Sequence, residues 1–159
     1  MKNYVIVWTQ RGNSKDNVLL VLKDKPEWQK GKLNLPGGKV EDDESPLKAA
    51  VRELKEETGY DPILPVRSMG IVQDGNSTIH CVKAVIMDHD DPSPREEETQ
   101  EVLWTPWYKA EHDSRLIPNL RVIIPLMMTG VSGWVIGDTY RGSGKKRHTI
   151  KISLPTRES

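Results

Sequence analysis

The 159-residue sequence predicts a single domain of the α+β or α/β class, and three observations support this prediction. Short runs of β-branched and aromatic residues recur along the chain, separated by turns rich in glycine, asparagine and aspartate. One segment carries both start and stop signals of a helix. The length corresponds to one domain that can bury a core of its own.

The predicted strands are apolar stretches bounded by turn residues. We expect the first two, residues 4–9 and 18–23, to pair as a hairpin across the turn at 11–17. The last two are expected to form a terminal hairpin, and a helix is expected over residues 118–129. The strands are predicted at residues 4–9, 18–23, 66–72, 78–87, 101–107, 134–140 and 148–154.

The most clearly marked helix is predicted over residues 46–58. Ser45 can cap its first turn, Pro46 fits the first helical position, and Gly59 can provide the C-terminal cap. At about 100° per residue, the apolar side chains fall on one stripe and three glutamates on an adjacent face. The predicted core stripe consists of Leu47, Ala50, Val51, Leu54 and Thr58.

Composition narrows the function classes. The 23 basic and 23 acidic residues balance, so no global field attracts the chain to DNA or an anionic membrane, and we expect it to bind neither. No apolar run approaches the roughly 20 residues of a membrane span, and the N-terminus lacks the features of a signal peptide. The single cysteine, Cys81, excludes an intramolecular disulfide and is expected to be buried and inert. We therefore expect a cytoplasmic protein.

Three glutamates on the predicted helix, Glu53, Glu56 and Glu57, fall within a sector of about 100°. Like charges this close repel one another, and a divalent cation would turn the repulsion into ligation. Mg²⁺ is typically held by one or two carboxylates together with phosphates and water. A solvated acidic helix face is the alternative, and the glutamates alone do not decide between the two.

The segment before the helix favours a metal site. Pro36-Gly37-Gly38 is expected to let the backbone turn sharply and approach a ligand, and Glu44 can meet the same metal or pair with Arg52. The pattern Gly38-x5-Glu44-x7-Arg52-Glu53-Leu54-x-Glu56-Glu57-x-Gly59-Tyr60 resembles the Nudix box, with Tyr60 at a position that is usually aliphatic. The box spans residues 38–60. The resemblance implies one Nudix domain over residues 1–159, an α/β/α sandwich with a mixed β-sheet between helices.

The resemblance also implies an activity. Nudix proteins hydrolyse a nucleoside diphosphate linked to another group, with Mg²⁺ or Mn²⁺ assisting the attack of water. Glu53, Glu56 and Glu57 are the implied metal ligands, whereas Glu44 and Arg52 order the loop and helix. The general base varies within the family. Glu53 and Glu57 are candidates on the helix, and Glu98 and Glu101 are candidates before Trp104. Glu98 is also a candidate ligand of a second metal, with a solvated charged loop as the alternative.

The substrate class follows from weaker signals. The downstream residues that mark ADP-ribose, dinucleoside polyphosphate and NADH members are absent, which favours a (deoxy)nucleoside triphosphate. Residues 32–39 resemble the W-N-x-x-G-G-K stretch of oxidised-purine triphosphatases, with leucine in place of tryptophan. The implied or candidate substrate-binding residues are Lys23, Asn34, Asn119, Trp28, Gly37 and Gly38.

Simpler roles exist for several of these residues. Lys23 can be a solvated strand end, and Asn34 and Asn119 can cap a turn and a helix. Two other functions also stay open: hydrolysis of ADP-ribose, a nucleotide sugar, a dinucleoside polyphosphate or capped RNA, and non-catalytic binding of a nucleotide by a Nudix regulator. The sequence leaves open whether the protein is a monomer or a homodimer.

Overall fold

The computed structural model describes residues 2–88, 101–139 and 149–154. The strands are β1 Lys2–Arg11, β2 Asn17–Leu22, β3 Leu33–Asn34, β4 Gly37–Lys39, β5 Ile63–Asp74, β6 Ser77–Ile86, β7 Glu101–Pro106, β8 Trp134–Thr139 and β9 Thr149–Ser153. The helices are α1 Pro46–Thr58, α2 Trp107–Ala110 and α3 Leu120–Met128, with a 3-10 turn at Glu27–Gln29.

The strands form two sheets. The larger has the order β4-β1-β6-β5-β8-β9, and the smaller has the order β3-β2-β7. The β1–β6 and β5–β8 pairs are parallel and the remaining pairs are antiparallel, so the larger sheet is mixed. The predicted terminal hairpin, β8 with β9, is confirmed.

The predicted hairpin of the first two strands is wrong. β1 pairs with β6 over its full length, from Lys2 to Arg11, and its other edge pairs with β4. Both edges of β1 are therefore occupied, and β2 pairs instead with β3 and β7 in the smaller sheet. The pairing partner that displaces β2 is more than sixty residues away along the chain, a separation that local turn signals do not reveal.

Helices cover both faces of the sheets, which confirms the α/β/α sandwich. Successive side chains of a strand point to opposite faces. Val5 and Val7 of β1 accordingly pack in one core cluster with Leu54 of α1, whereas Trp8 packs in the other cluster with Ile123 of α3. The only cysteine, Cys81, is fully buried in the second of these clusters, as predicted.

Helix α1 has the predicted bounds and caps. Ser45 Oγ accepts a hydrogen bond from the Lys48 N–H at 3.2 Å, and Pro46 occupies the first turn. Gly59 ends the helix with a φ of 79°, which is the left-handed conformation that favours glycine.

The predicted core stripe of α1 is correct only in part. Ala50, Leu54 and Thr58 are buried, but Leu47 is 36% exposed. Ala49 and Glu57 are buried as well, so the face turned to the sheet is rotated toward the acidic face. Beside this face, Gly38 leaves room for the carboxylate of Glu53, which a Cβ at that position would meet at 2.4 Å.

Helix α3, Leu120–Met128, confirms the helix predicted over 118–129 except for two residues at its start and one at its end, and Pro125 lies in its interior. Its buried residues are Leu120, Ile123, Ile124 and Met127, which form one apolar face. Within residues 2–88, 101–139 and 149–154, no helix has both the length and the apolar character needed to cross a membrane.

Candidate functional site

A cleft of about 570 Å³ opens where α1, α3 and the sheets meet, a size typical of small-molecule sites. It is lined by residues from five separated segments of the chain. The predicted site residues that line it are Lys23, Trp28, Asn34, Gly37, Gly38, Glu53, Glu57 and Asn119. The fold therefore brings together most of the candidates that the sequence suggested.

Gly37 and Gly38 are needed for the close approach of neighbouring atoms rather than for a sharp turn. Both lie in strand β4, paired with Val5 and Ile6 of β1, and neither has a positive φ. A Cβ on Gly37 would lie 2.0 Å from the Val5 carbonyl oxygen, and one on Gly38 would lie 2.4 Å from Glu53 Oε1. The predicted turn is thus wrong for these residues, whereas the requirement for glycine is real.

Arg52 connects the acidic residues of the box. Its guanidinium donates to both carboxylate oxygens of Glu44, at 3.1 and 2.5 Å, and to the Lys39 carbonyl at 3.0 Å. Its Nη1 lies 2.8 Å from Glu53 Oε1 and 3.2 Å from Glu56 Oε2. The hydrogen bond from Arg52 lowers the pKa of Glu44, and the carboxylate of Glu44 in turn raises the pKa of Arg52. Arg52 therefore fixes the loop before α1 and the direction of Glu53.

Glu57 is the most enclosed carboxylate of the cleft. Only 7% of the residue is exposed, and Oε1 accepts a hydrogen bond from Lys23 Nζ at 2.8 Å. Its other oxygen lies 3.4 Å from the Gly37 backbone N–H. Burial raises the pKa of Glu57 to about 7, although the neighbouring Lys23 opposes the shift. Burial also raises the pKa of Glu53, against the effect of Arg52.

These carboxylates suit a hard divalent cation by their chemistry, although no three acidic, histidine or cysteine side chains in the described parts of the chain are arranged as a metal cage. Each is engaged by a basic side chain: Glu53 and Glu56 by Arg52, and Glu57 by Lys23. A cationic nitrogen already bridges Glu53 and Glu56, so a positive group is accommodated there. Oxygen ligands are those that Mg²⁺ and Mn²⁺ prefer.

Three further lining residues of the cleft carry groups that fit a nucleobase. Asn119 lies at the N-terminus of α3, where its side chain makes no capping hydrogen bond. Asn34 is more committed, because its carbonyl accepts from the Leu35 N–H at 2.8 Å and its amide donates to Gln29 at 3.3 Å. Trp28 is 66% exposed at the rim and can stack on a planar ring.

Sequence reasoning missed part of the cleft. Tyr4 and Ile79 are paired across β1 and β6, and both line its floor. Asp74 and Ser77 face each other across the turn between β5 and β6, and they also line it. These positions depend on strand register between distant segments, and no local motif marks them.

Other predicted residues lie apart from the cleft wall. Glu44, Arg52 and Glu56 do not line it, and Arg52 contacts Glu53, which does. Glu98 lies outside the described residues, so its assignment as a base or second metal ligand stays a prediction. Glu101 is an exposed residue of β7 that pairs with Leu22.

The family is decided by a comparison of the whole sequence. The family model described as the NUDIX domain matches residues 2–127, which include the complete box. The chain belongs to the Nudix family. The mixed sheet between helices and the box residues around the cleft are therefore those of a Nudix domain.

Named relatives of this Nudix chain include ADP-sugar pyrophosphatase of Mus musculus, 36% identical over 111 residues, which are 64% of this chain and 51% of that protein. ADP-ribose pyrophosphatase of Methanocaldococcus jannaschii is 52% identical over 48 residues, or 30% of this chain and 28% of that protein. The chain thus spans about half, or less, of the length of these relatives.

Among solved structures, the MutT protein of Bacillus halodurans superposes with a TM-score of 0.67 at 18% identity. The superposition covers 96% of this chain and 97% of that protein. At this level of identity the likeness shows a shared fold.

Proposed function

We propose that the chain is a Mg²⁺-dependent pyrophosphohydrolase that cleaves a (deoxy)nucleoside triphosphate to the monophosphate and pyrophosphate. The observation that carries the proposal is the shared cleft. It is lined by the carboxylates Glu53 and Glu57 and the ammonium group of Lys23, and also by Asn119 and Trp28. Phosphate-handling and base-recognising groups therefore face the same space.

The reaction is a displacement at phosphorus. A water oxygen forms a bond to the phosphorus, the bridging P–O bond breaks, and the electron pair leaves with pyrophosphate. The proton of the water passes to a carboxylate, for which Glu53 and Glu57 are the candidates that line the cleft. When bound, Mg²⁺, or Mn²⁺ in its place, supplies charge neutralisation, orientation of the attack and a lowered pKa of bound water.

Other residues of the chain bind the metal, position its ligands and bind the phosphates. Glu53, Glu56 and Glu57 would hold the metal, and Arg52 keeps Glu53 in position through its 2.8 Å contact. Gly38 lets the carboxylate of Glu53 approach the backbone of β4 closely, and Gly37 does the same for the backbone of β1. Lys23 pairs with phosphate oxygens.

The nucleobase is recognised by Asn119 and Trp28, which also line the cleft. The free amide of Asn119 can both donate to and accept from a base edge, and Trp28 can stack on the ring. Holding the base this way fixes the distance from the sugar to the phosphates, which orients the phosphorus for attack.

ADP-ribose or an ADP-linked sugar is the second candidate substrate. It is favoured by the names of the mouse and archaeal relatives, which match this chain at 36% and 52% identity over their aligned segments. Such substrates carry the same pyrophosphate group beside a nucleoside, so the same carboxylates would act on them. What differs is the group beyond the second phosphate.

A substrate panel separates these functions. The protein is incubated with Mg²⁺ and dNTPs, oxidised dNTPs, ADP-ribose, nucleotide sugars, dinucleoside polyphosphates and capped RNA, and the substrates are ranked by kcat/KM. We expect a nucleoside triphosphate to rank first and to give pyrophosphate as co-product. A first rank for ADP-ribose, with ribose phosphate as co-product, would establish the second candidate. Nucleotide binding without turnover of any substrate would indicate a non-catalytic regulator.

A further inference from the structure

Lys23 and Glu57 form an ion pair that is buried in the wall of the cleft. Both side chains are less than 10% exposed, and Nζ lies 2.8 Å from Oε1. Burying two charges is costly, and a buried ion pair is weak evidence for a role in stability. This pair lies in the wall of the cleft that also contains Gly37 and Gly38. Its position therefore points to a role in binding.

The backbone holds Lys23 firmly at this point. Its N–H donates to the Lys32 carbonyl at 2.9 Å, and its carbonyl accepts from the Gly31 N–H at 2.8 Å. Two backbone hydrogen bonds thus fix the position from which the Lys23 side chain extends, directly after β2. Glu57, by contrast, reaches it from α1, and the second carboxylate of the cleft, Glu53, adds a negative charge to the same wall.

We propose that Lys23 is an internal counter-cation of the metal-free protein, which neutralises Glu57 until a divalent cation takes its place. The proposal rests on the proposed metal-binding role of Glu57. The ammonium group occupies Oε1, and the Gly37 N–H lies 3.4 Å from Oε2, so a divalent cation that binds Glu57 competes with the ion pair. Lys23 therefore lowers the affinity for the metal and keeps the empty site stable.

The exchange also has a consequence for substrate. Once Glu57 turns to the metal, the ammonium group of Lys23 is released into the cleft, where a phosphate oxygen is a suitable new partner. Metal and a phosphate-bearing ligand then favour each other's binding through Lys23. The site acquires its affinity for phosphate when the metal arrives.

The test is the binding of Mn²⁺ to the full chain without any nucleotide, measured by calorimetry and by the EPR signal of free Mn²⁺. Lys23→Met is compared with wild type and with Lys25→Met. Lys25 is a matched control, since it lines the same cleft and is exposed, whereas the described hydrogen bonds of Glu57 go to Lys23 and Gly37. Both variants lose one positive charge near the site.

We expect Lys23→Met to bind Mn²⁺ about tenfold more tightly or better, and Lys25→Met to stay within about twofold of wild type, a factor of ten being about 1.4 kcal/mol. In EDTA the Tm of Lys23→Met should fall below that of wild type, and added Mn²⁺ should raise it by more. If Lys23→Met does not fold, Lys23→Gln, which keeps a donor for Glu57 without the charge, takes its place.

Three results would overturn the exchange: unchanged or weaker Mn²⁺ affinity in the Lys23 variant, equal tightening in the Lys25 variant, or no saturable Mn²⁺ binding in any variant. The proposed activity fails separately. A protein that shows the expected Mn²⁺ affinities but turns over no substrate of the panel would refute the hydrolase and leave the exchange in place.

Discussion

Adding one methyl group to either glycine of β4 should have two different effects. In Gly37→Ala the new Cβ would lie 2.0 Å from the Val5 carbonyl oxygen and 3.0 Å from the Ile6 Cα. Both are backbone atoms of β1, which is held in place on its other edge by pairing with β6 over its full length. The clash is therefore relieved only by separating β4 from β1. In Gly38→Ala the contact, at 2.4 Å, is with the end of the Glu53 side chain, which can move.

The magnitudes follow from which atoms give way. Overpacking against fixed neighbours costs about 1–3 kcal/mol or more, and at this chain length each kcal/mol lowers Tm by about 2–4 °C. Gly37→Ala should therefore lower Tm by about 2–12 °C. Gly38→Ala should lose only a few degrees, but it displaces Glu53 and breaks its 2.8 Å contact with Arg52. Misplacement by about 1 Å costs about 100-fold in rate.

The assay is a pair of measurements on each variant: Tm by circular dichroism in EDTA, and kcat on the best substrate well below the Tm. Gly38→Ala should keep most of its stability and lose about two orders of magnitude in kcat. The reasoning is refuted if Gly38→Ala is fully active, or if Gly37→Ala is as stable as wild type.

Three further predictions use other parts of the structure. Asn119→Ala should raise KM for purine triphosphates, because an unpaired base edge costs about 1–3 kcal/mol; unchanged kinetics would remove Asn119 from the site. Because the hydrogen bond from Arg52 lowers the pKa of Glu44, their pairing should stabilise the metal-free protein above the ordinary pKa of a glutamate and be lost as pH falls through the lowered pKa. The stability difference between wild type and Glu44→Gln should then shrink in acid, and a pH-independent difference would contradict this. Burial raises the pKa of the Cys81 thiol, so a disulfide reagent at pH 8 should label it only after unfolding, and rapid labelling of the native protein would count against its burial.

Local signals were sufficient to predict α1 and the box. A serine cap, a proline in the first turn and a left-handed glycine at the end act within a few residues of the helix, so its bounds followed from the sequence. The same holds for the terminal hairpin. The wrong hairpin of β1 and β2 shows the limit, because the parallel partner of β1 lies in a distant segment.

The site shows the same division. Glu57 could be recognised as a box residue, but its burial and its pairing with Lys23 depend on how α1 is rotated against the sheet. The core stripe of α1 was predicted from the angular positions of its apolar residues alone. These positions could not include the space that Gly38 leaves for the carboxylate of Glu53. Asp74 and Ser77 enter the cleft only through strand register.

The carboxylates of α1 are the proposed metal ligands, and the proposed hydrolase activity depends on them. The most direct test is kcat of Glu57→Gln on the best substrate at saturating Mg²⁺, with Tm measured beside it. Glutamine keeps the size of the side chain and an acceptor for Lys23, so the fold should be retained while kcat falls by orders of magnitude. Near-normal turnover in a folded Glu57→Gln protein would contradict the account.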